Sequence, residues 1–269
     1  MIELSGNDRG LFASDIHLDD QDPDTARLFF EMLALQAPQA THLFLLGDLF
    51  EAWVGDDDNS QVGLRLEQTL AQLAGGGLQI FLMRGNRDFL IDVPLSSDGA
   101  GLGEHDGRPG PPAAFSQRAG ASLLSDPCSV NLFGIPTLLT HGDLLCIDDT
   151  DYQAFRRQSR SQPWQQTFLA QALERRQASA RQMREQSTLE KSAKMDALMD
   201  VNAQAVHQAM RQAGVRQMIH GHTHRPARHQ DPAGSGTLRW VLPDWDAQTM
   251  RGGMLLAIAG EMRQIGNWD

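Results

Sequence analysis

The chain has 269 residues, 41% of them apolar, enough to bury a substantial core in one large domain or in one domain carrying an insertion. No stretch approaches the roughly 18 consecutive apolar residues of a membrane-spanning helix, and the polar start at Met1 to Gly10 lacks the basic and apolar regions of a signal peptide, so the expected compartment is the cytosol. A formal net charge of −11 argues against general nucleic-acid binding, which needs a positive surface, and Cys128 and Cys146 have no disulfide or zinc spacing and read as small buried side chains.

Short apolar runs predict strands at Leu11 to Ala13, His42 to Leu46, Leu78 to Met83, Ile135 to Thr140 and Val215 to His220. Helical spacing fills Asp24 to Gln36 and Val62 to Ala74, so strand and helix alternate as in layered α/β proteins. Ser97 to Ala114, rich in Gly and Pro, reads as a surface loop insertion. Tyr152 to Asn202 carries Phe155, Trp164, Phe168, Leu169, Leu173 and Met183 at helical spacing with no strand signal. It predicts two or three helices forming a cap, which divides the chain into a core of residues 1–150 and 203–269 and a cap of residues 151–202. Within it, Arg156 to Lys194 holds nine of the 23 basic residues against Glu174, Glu185 and Glu190, where the ordinary reading of such a run is a solvated helix face. Trp240 to Asp269 adds strand-like pieces such as Met254 to Ala259.

Each of the five strands runs at once into polar residues: Asp15-Ile16-His17, Gly47-Asp48, Gly85-Asn86-Arg87-Asp88, His141-Gly142-Asp143, and His220-Gly221-His222-Thr223-His224. Singly these are ordinary turns or structural histidines. Together they set ligand-type residues beyond the carboxyl ends of successive strands, where α/β sheets gather their loops around a common crevice. Of the remaining histidines, His42, His105, His207 and His229 read as surface or packing residues, and His220 as a neighbour that supports the site. Carboxylate, amide and imidazole donors without a thiolate suit manganese, iron or zinc better than copper or a structural zinc.

This order of motifs resembles the calcineurin-like metallophosphoesterase family across most of the chain. The resemblance implies a layered αββα sandwich with a helical cap insertion and a centre of two divalent metal ions, Mn2+ by preference. Asp15, His17 and His224 would hold one ion, Asn86, His141 and His222 the other, with Asp48 bridging. Two ions so placed activate a water for in-line attack on phosphorus. Arg87, next to the ligand Asn86, is the candidate for stabilising transition-state charge, since its fork matches phosphate geometry. Asn86, Arg87 and His222 thus form the candidate catalytic set.

Longer runs resemble the UDP-2,3-diacylglucosamine hydrolase family: Gly47 to Trp53 with Gly55 to Asp58, Gly85 to Leu90, Asp148-Asp149 with Tyr152 to Arg156, Met199 to Asn202, and His220 to Pro226. That resemblance implies hydrolysis of a lipid-linked nucleotide sugar in lipid A synthesis, giving UMP and 2,3-diacylglucosamine 1-phosphate. The place would be the cytoplasmic face of a Gram-negative inner membrane, with peripheral contact and no obligatory protein partner. Asn86, Arg87, Asp149, Ser187, Lys191, Lys194 and His222 would contact substrate, and Phe155, Trp164, Phe168 and Leu173 would line an acyl groove under an exposed basic cap. Lys191 stands where the family pattern has Asn, Pro243 where it has Gly, and the Ser97 to Ala114 insertion is additional. The alternatives are a calcineurin-like hydrolase of a soluble nucleotide diphosphate and a non-catalytic scaffold of the same fold.

Overall fold

The apolar runs become strands because both of their faces find cover. A computed structural model describes residues 1–95, 112–193, 200–230 and 236–268, with backbone alone for 185–193. One six-stranded sheet has the order β12 (Glu261–Asn267), β11 (Gly252–Ile258), β2 (Arg9–Ala13), β3 (His42–Leu46), β4 (Gln79–Met83), β5 (Ser122–Leu124). The other has the order β1 (Glu3–Leu4), β6 (Cys128–Leu132), β7 (Ile135–Leu139), β8 (Gln217–His220), β10 (Leu238–Val241), β9 (Ala227–Gln230). All five predicted strands are present within a residue or two.

Side-chain alternation sorts each central strand between two cores. In β2, β3 and β4, Leu11, Leu43, Leu45, Ile80 and Leu82 face α1 (Pro23–Gln36) and α2 (Gln61–Gly75). Phe12, Phe44, Leu46, Phe81 and Met83 face the second sheet, meeting Val130, Leu139, Ile219 and Trp240. On the outer side of that sheet, Leu138 and Met218 pack on Val206 and Met210 of α7 (Ala203–Ala213). The layers are therefore helix, sheet, sheet, helix, as expected. Phe12, Phe44 and Phe81 stand in register on neighbouring parallel strands, with ring centroids 4.6 and 4.9 Å apart. α1 starts at Asp22, whose carboxylate accepts the Thr25 N–H at 3.1 Å, with Pro23 beginning the helix.

The short strands β1, β5, β6 and β9 were not foreseen. They are two to five residues long and mix polar with apolar positions, so no periodicity marks them. A short helix, α3 (Phe115–Arg118), precedes β5. Residues 96–111, most of the Gly/Pro-rich insertion, lie outside the described residues, as does Lys194; of Ser187 and Lys191 only the backbone is described.

Residues 150–193 form three helices, α4 (Thr150–Ser159), α5 (Gln162–Leu169) and α6 (Leu173–Ala193). Arg157, Arg175 and Arg181 keep the expected exposed basic face, but the other four arginines turn inward. Arg156 Nε lies 2.7 Å from Asp143 Oδ2, and Arg160 Nη2 donates to the Gly85 carbonyl at 2.7 Å. Arg176, 2% exposed, forks onto Asp57 and donates to the Val54 carbonyl at 2.6 Å, while Arg184 pairs with Glu51. The reason is local charge: the loops beneath this segment present carboxylates and bare carbonyls, and a forked cation satisfies both.

Candidate metal centre

The sheet ladder continues past the strand ends and fixes the loop tips. Asp15 N–H donates to Gly47 O and His17 N–H to Asp48 O, each at 3.0 Å, prolonging the parallel pairing of β2 and β3. On the other sheet Gly221 N–H donates to His141 O at 2.9 Å. The two sheets are joined where His222 N–H donates to both oxygens of Asp15, at 3.0 and 2.9 Å, and Trp245 N–H to Asp15 O at 3.2 Å. Asp15, His17, Asp48, His222 and His224 all adopt left-handed backbone, with φ between 51° and 70°. Such conformations cost about 1 kcal/mol or more at each non-glycine residue and persist only where surrounding structure imposes them.

These tips bring every predicted ligand to one place. His17 Nε2 lies 3.2 Å from His224 Nε2, and Asp15 Oδ1 lies 3.6 Å from His224 Nε2. Asp48 reaches both ways: Oδ1 is 3.6 Å from His141 Nε2 and Oδ2 is 4.0 Å from His17 Nε2. Asn86 Oδ1 faces His141 Nε2 at 3.0 Å and His222 Nδ1 at 2.8 Å. Two groups have ligand atoms mutually within 4.8 Å, Asp15 with His17 and His224, and Asp15 with Asp48 and His141. Asp15 thus stands in both groups, beyond the single position the motif pattern implied for it.

The electrostatics are those of a site made for cations. Burial alone would depress the His141 imidazole, yet Asp48, Asp15, Asp143 and Asp126 push it up to about 9. For His224, burial is likewise overcome by contacts with Asp15 and Asp244, again to about 9. Asp15 would be raised by burial, but its contact with His224 and the charges of His141, His224 and His17 hold it well below the usual carboxylate range. His17 and His222 are instead lowered by burial to about 4 and carry open lone pairs. Protons on His141 and His224 occupy positions that a metal would take, and the oxygen and nitrogen donors fit a hard to borderline divalent ion. Two glycines make the packing possible. A Cβ at Gly85 would strike the Asp48 carboxylate, and one at Gly221 the Asp15 carboxylate.

Several supporting residues went unnoticed in the sequence. Glu51 Oε2 lies 2.8 Å from His17 Nδ1, and Asp244 Oδ2 lies 3.3 Å from His224 Nδ1 and 2.6 Å from Arg251 Nη2. Glu51 sits in a run whose likeness to a family was visible, but the role of both residues is set by tertiary contact alone. The Asp88 carboxylate accepts the Leu49 and Gly85 N–H groups at 2.7 and 2.6 Å, and burial pushes it up to about 6. That leaves Arg87 without Asp88 as a partner, and Arg87 Nε is buried with no hydrogen bond among the described residues. His220 lies beneath the centre, its Nε2 2.9 Å from Arg239 Nη1.

A cavity of about 630 Å³ opens over the centre. Asn86, Arg87, His222 and His224 form its polar side, and Trp53, Phe89, Phe155, Trp164, Phe168 and Met183 its apolar side. Asp149 lines it too, while capping α4 through the Tyr152 N–H at 3.1 Å. Leu173 does not line it and packs against the hydrophobic core instead, because its position at the first turn of α6 turns it towards the body. Among the described residues no helix is long and apolar enough to cross a membrane.

The sequence profile of the calcineurin-like phosphoesterases matches residues 9–226. A UDP-2,3-diacylglucosamine hydrolase of Cellvibrio japonicus (strain Ueda107) is 42% identical over 260 residues, 96% of this chain and 98% of that protein. The protein of the same name from Aeromonas hydrophila is 43% identical over 254 residues, 94% of this chain and 96% of the other, and that from Hahella chejuensis 41% over 243, covering 90% and 91%. With this sandwich and this cluster of carboxylate, amide and imidazole donors, the chain belongs to the calcineurin-like phosphoesterase family, in the branch whose curated members are named UDP-2,3-diacylglucosamine hydrolase.

Proposed function

We propose that the chain hydrolyses the pyrophosphate bond of UDP-2,3-diacylglucosamine to UMP and 2,3-diacylglucosamine 1-phosphate, a step of lipid A synthesis. The observation that carries this reading is a cavity in which a polar, cation-seeking floor meets an apolar wall. A substrate with two acyl chains and a pyrophosphate needs both.

Asp15, His17 and His224 would hold one divalent ion and Asn86, His141 and His222 a second, with one oxygen of Asp48 turned to each set. Two such ions, manganese in our reading, supply Lewis-acid charge to the phosphoryl oxygens and an acidified water as nucleophile. Arg87, its Nε unpartnered beside Asn86, donates to the same phosphoryl oxygens and stabilises the charge that grows on them. Trp53, Phe89, Phe155, Trp164, Phe168 and Met183 exclude water around the acyl chains. Asp149 contacts the sugar end of the substrate, and we extend that role to Ser187, Lys191 and Lys194 on motif position alone. Phe155 and Met183, 40% and 36% exposed at the cavity wall, would face the cytoplasmic leaflet of the inner membrane during peripheral contact.

The reaction is tested by mass spectrometry of the products formed in oxygen-18 water. Label in UMP is expected. Label in the sugar phosphate would overturn the site of attack, and equal efficiency on the deacylated UDP-sugar would assign a soluble nucleotide diphosphate instead.

A further inference from the structure

The substrate of the proposed reaction leaves the reacting phosphorus in two directions, and the apolar wall accounts for only the lipid end. A second cleft, of about 400 Å³, adjoins the first cavity and shares Thr223 and Arg225 with it. Its floor is one face of a sheet. In the antiparallel pair β9 and β10, Arg239 stands opposite His229 and Val241 opposite Ala227. Side chains alternate along a strand, so these four residues share a face, and all four line the cleft.

Ala227 and Pro226 provide a small apolar bed beside the almost fully buried Val241, while Arg239, His229 and Arg225 border it with N–H donors. The carboxylate among the lining residues, Asp200, lies 3.2 Å from Arg225 Nη1. Through its contact with His220, Arg239 also sets the cleft directly behind the loop that carries His222 and His224.

We propose that this cleft is the nucleoside subsite, with a uracil ring lying on Ala227 and Pro226 and its carbonyl oxygens turned to Arg239 and His229. The assignment rests on the pyrophosphate reading above. Uracil presents two carbonyl acceptors, which a donor-rich border satisfies. Cytosine exchanges one of them for an amino donor, which would face the Arg239 guanidinium where uracil presents an acceptor. Thr223 and Arg225, common to both cavities, border the passage in which the ribose and its 5′-phosphate would lie.

Calorimetric titration of the manganese-loaded protein with UMP, CMP and ribose 5-phosphate tests this. UMP should bind about tenfold or more tightly than either of the others, the worth of one charge-assisted hydrogen bond. His229→Ala and Arg239→Gln should reduce that preference to about twofold by weakening UMP alone. Equal binding of UMP and ribose 5-phosphate to the unaltered protein would overturn the proposal. So would variants that weaken both ligands alike, since Arg239 would then be acting through His220 on the metal loop; His229, exposed on the edge strand, keeps the test free of that route and of folding failure. If the lipid-linked substrate is not hydrolysed but UMP is still preferred, the reaction assignment falls and the cleft stands. Hydrolysis without base discrimination removes the cleft assignment alone.

Discussion

The loop tips and the cap border the same cavity but are held by different forces. At the tips, main-chain hydrogen bonds extend two sheets right up to the donor atoms, and the carboxylates of Asp15 and Asp48 are buried among them. The cap is pinned by arginines 156, 160, 176 and 184 to carboxylates and carbonyls of the core, with Phe168 and Leu169 as its buried apolar anchors. Chemistry therefore rests on the part that cannot shift without breaking ladders. Recognition rests on a part held by a few arginine contacts and two buried apolar side chains, which opens more easily.

Substitutions should divide along that line. Asp48→Asn strikes the rigid half hardest: kcat/KM should fall by about a thousandfold or more, and metal content measured by elemental analysis should fall with it. Retained metal and activity would remove Asp48 from the centre. Arg87→Ala should cost about a hundredfold to a thousandfold in kcat while metal content stays at the original level, which separates charge stabilisation from metal holding. On the cap side, Arg176→Ala strands Asp57 and should cost about 3 kcal/mol of local stability. The expected readout is rapid proteolysis within residues 150–193 and a raised KM, with the main unfolding transition of the core little changed. A uniform drop of the whole transition would show that cap and core unfold together.

The smallest effect is a pH dependence that belongs to the tips alone. His141 and His224 titrate near 9 in the metal-free protein against an ordinary value of 6.5. Because these values are raised, their protonation stabilises the metal-free fold fully below pH 6.5, and that contribution is lost as pH climbs through about 9. Metal binding near pH 7 should release up to about two protons per chain, and affinity should rise with pH until it levels above 9. Calorimetry in buffers of different ionisation enthalpy measures that release; a value near zero would mean that both imidazoles are already neutral.

The tips were legible in the sequence because each follows an apolar run, and a run of five residues covered on both faces announces a central strand by itself. The fold class followed from the same runs, whereas the strand Cys128–Leu132 and the edge strand Ala227–Gln230 carry mixed side chains and only pairing reveals them. Glu51 and Asp244 escaped notice for a related reason: a carboxylate behind an imidazole is a relation between distant positions, with no local signature. The inward turn of four cap arginines was not visible because charge in a sequence does not say which way it points. Leu173, taken for groove lining from its spacing, belongs to the core.

Gly85 and Gly221 touch the two acidic groups around which everything else is arranged, and neither has room for one more methyl. A saturation library at these two codons should come back almost blank. The fold could survive such a change by moving a carboxylate aside, so the lost variants would include stable but inert proteins, and a screen for solubility alone would miss the damage.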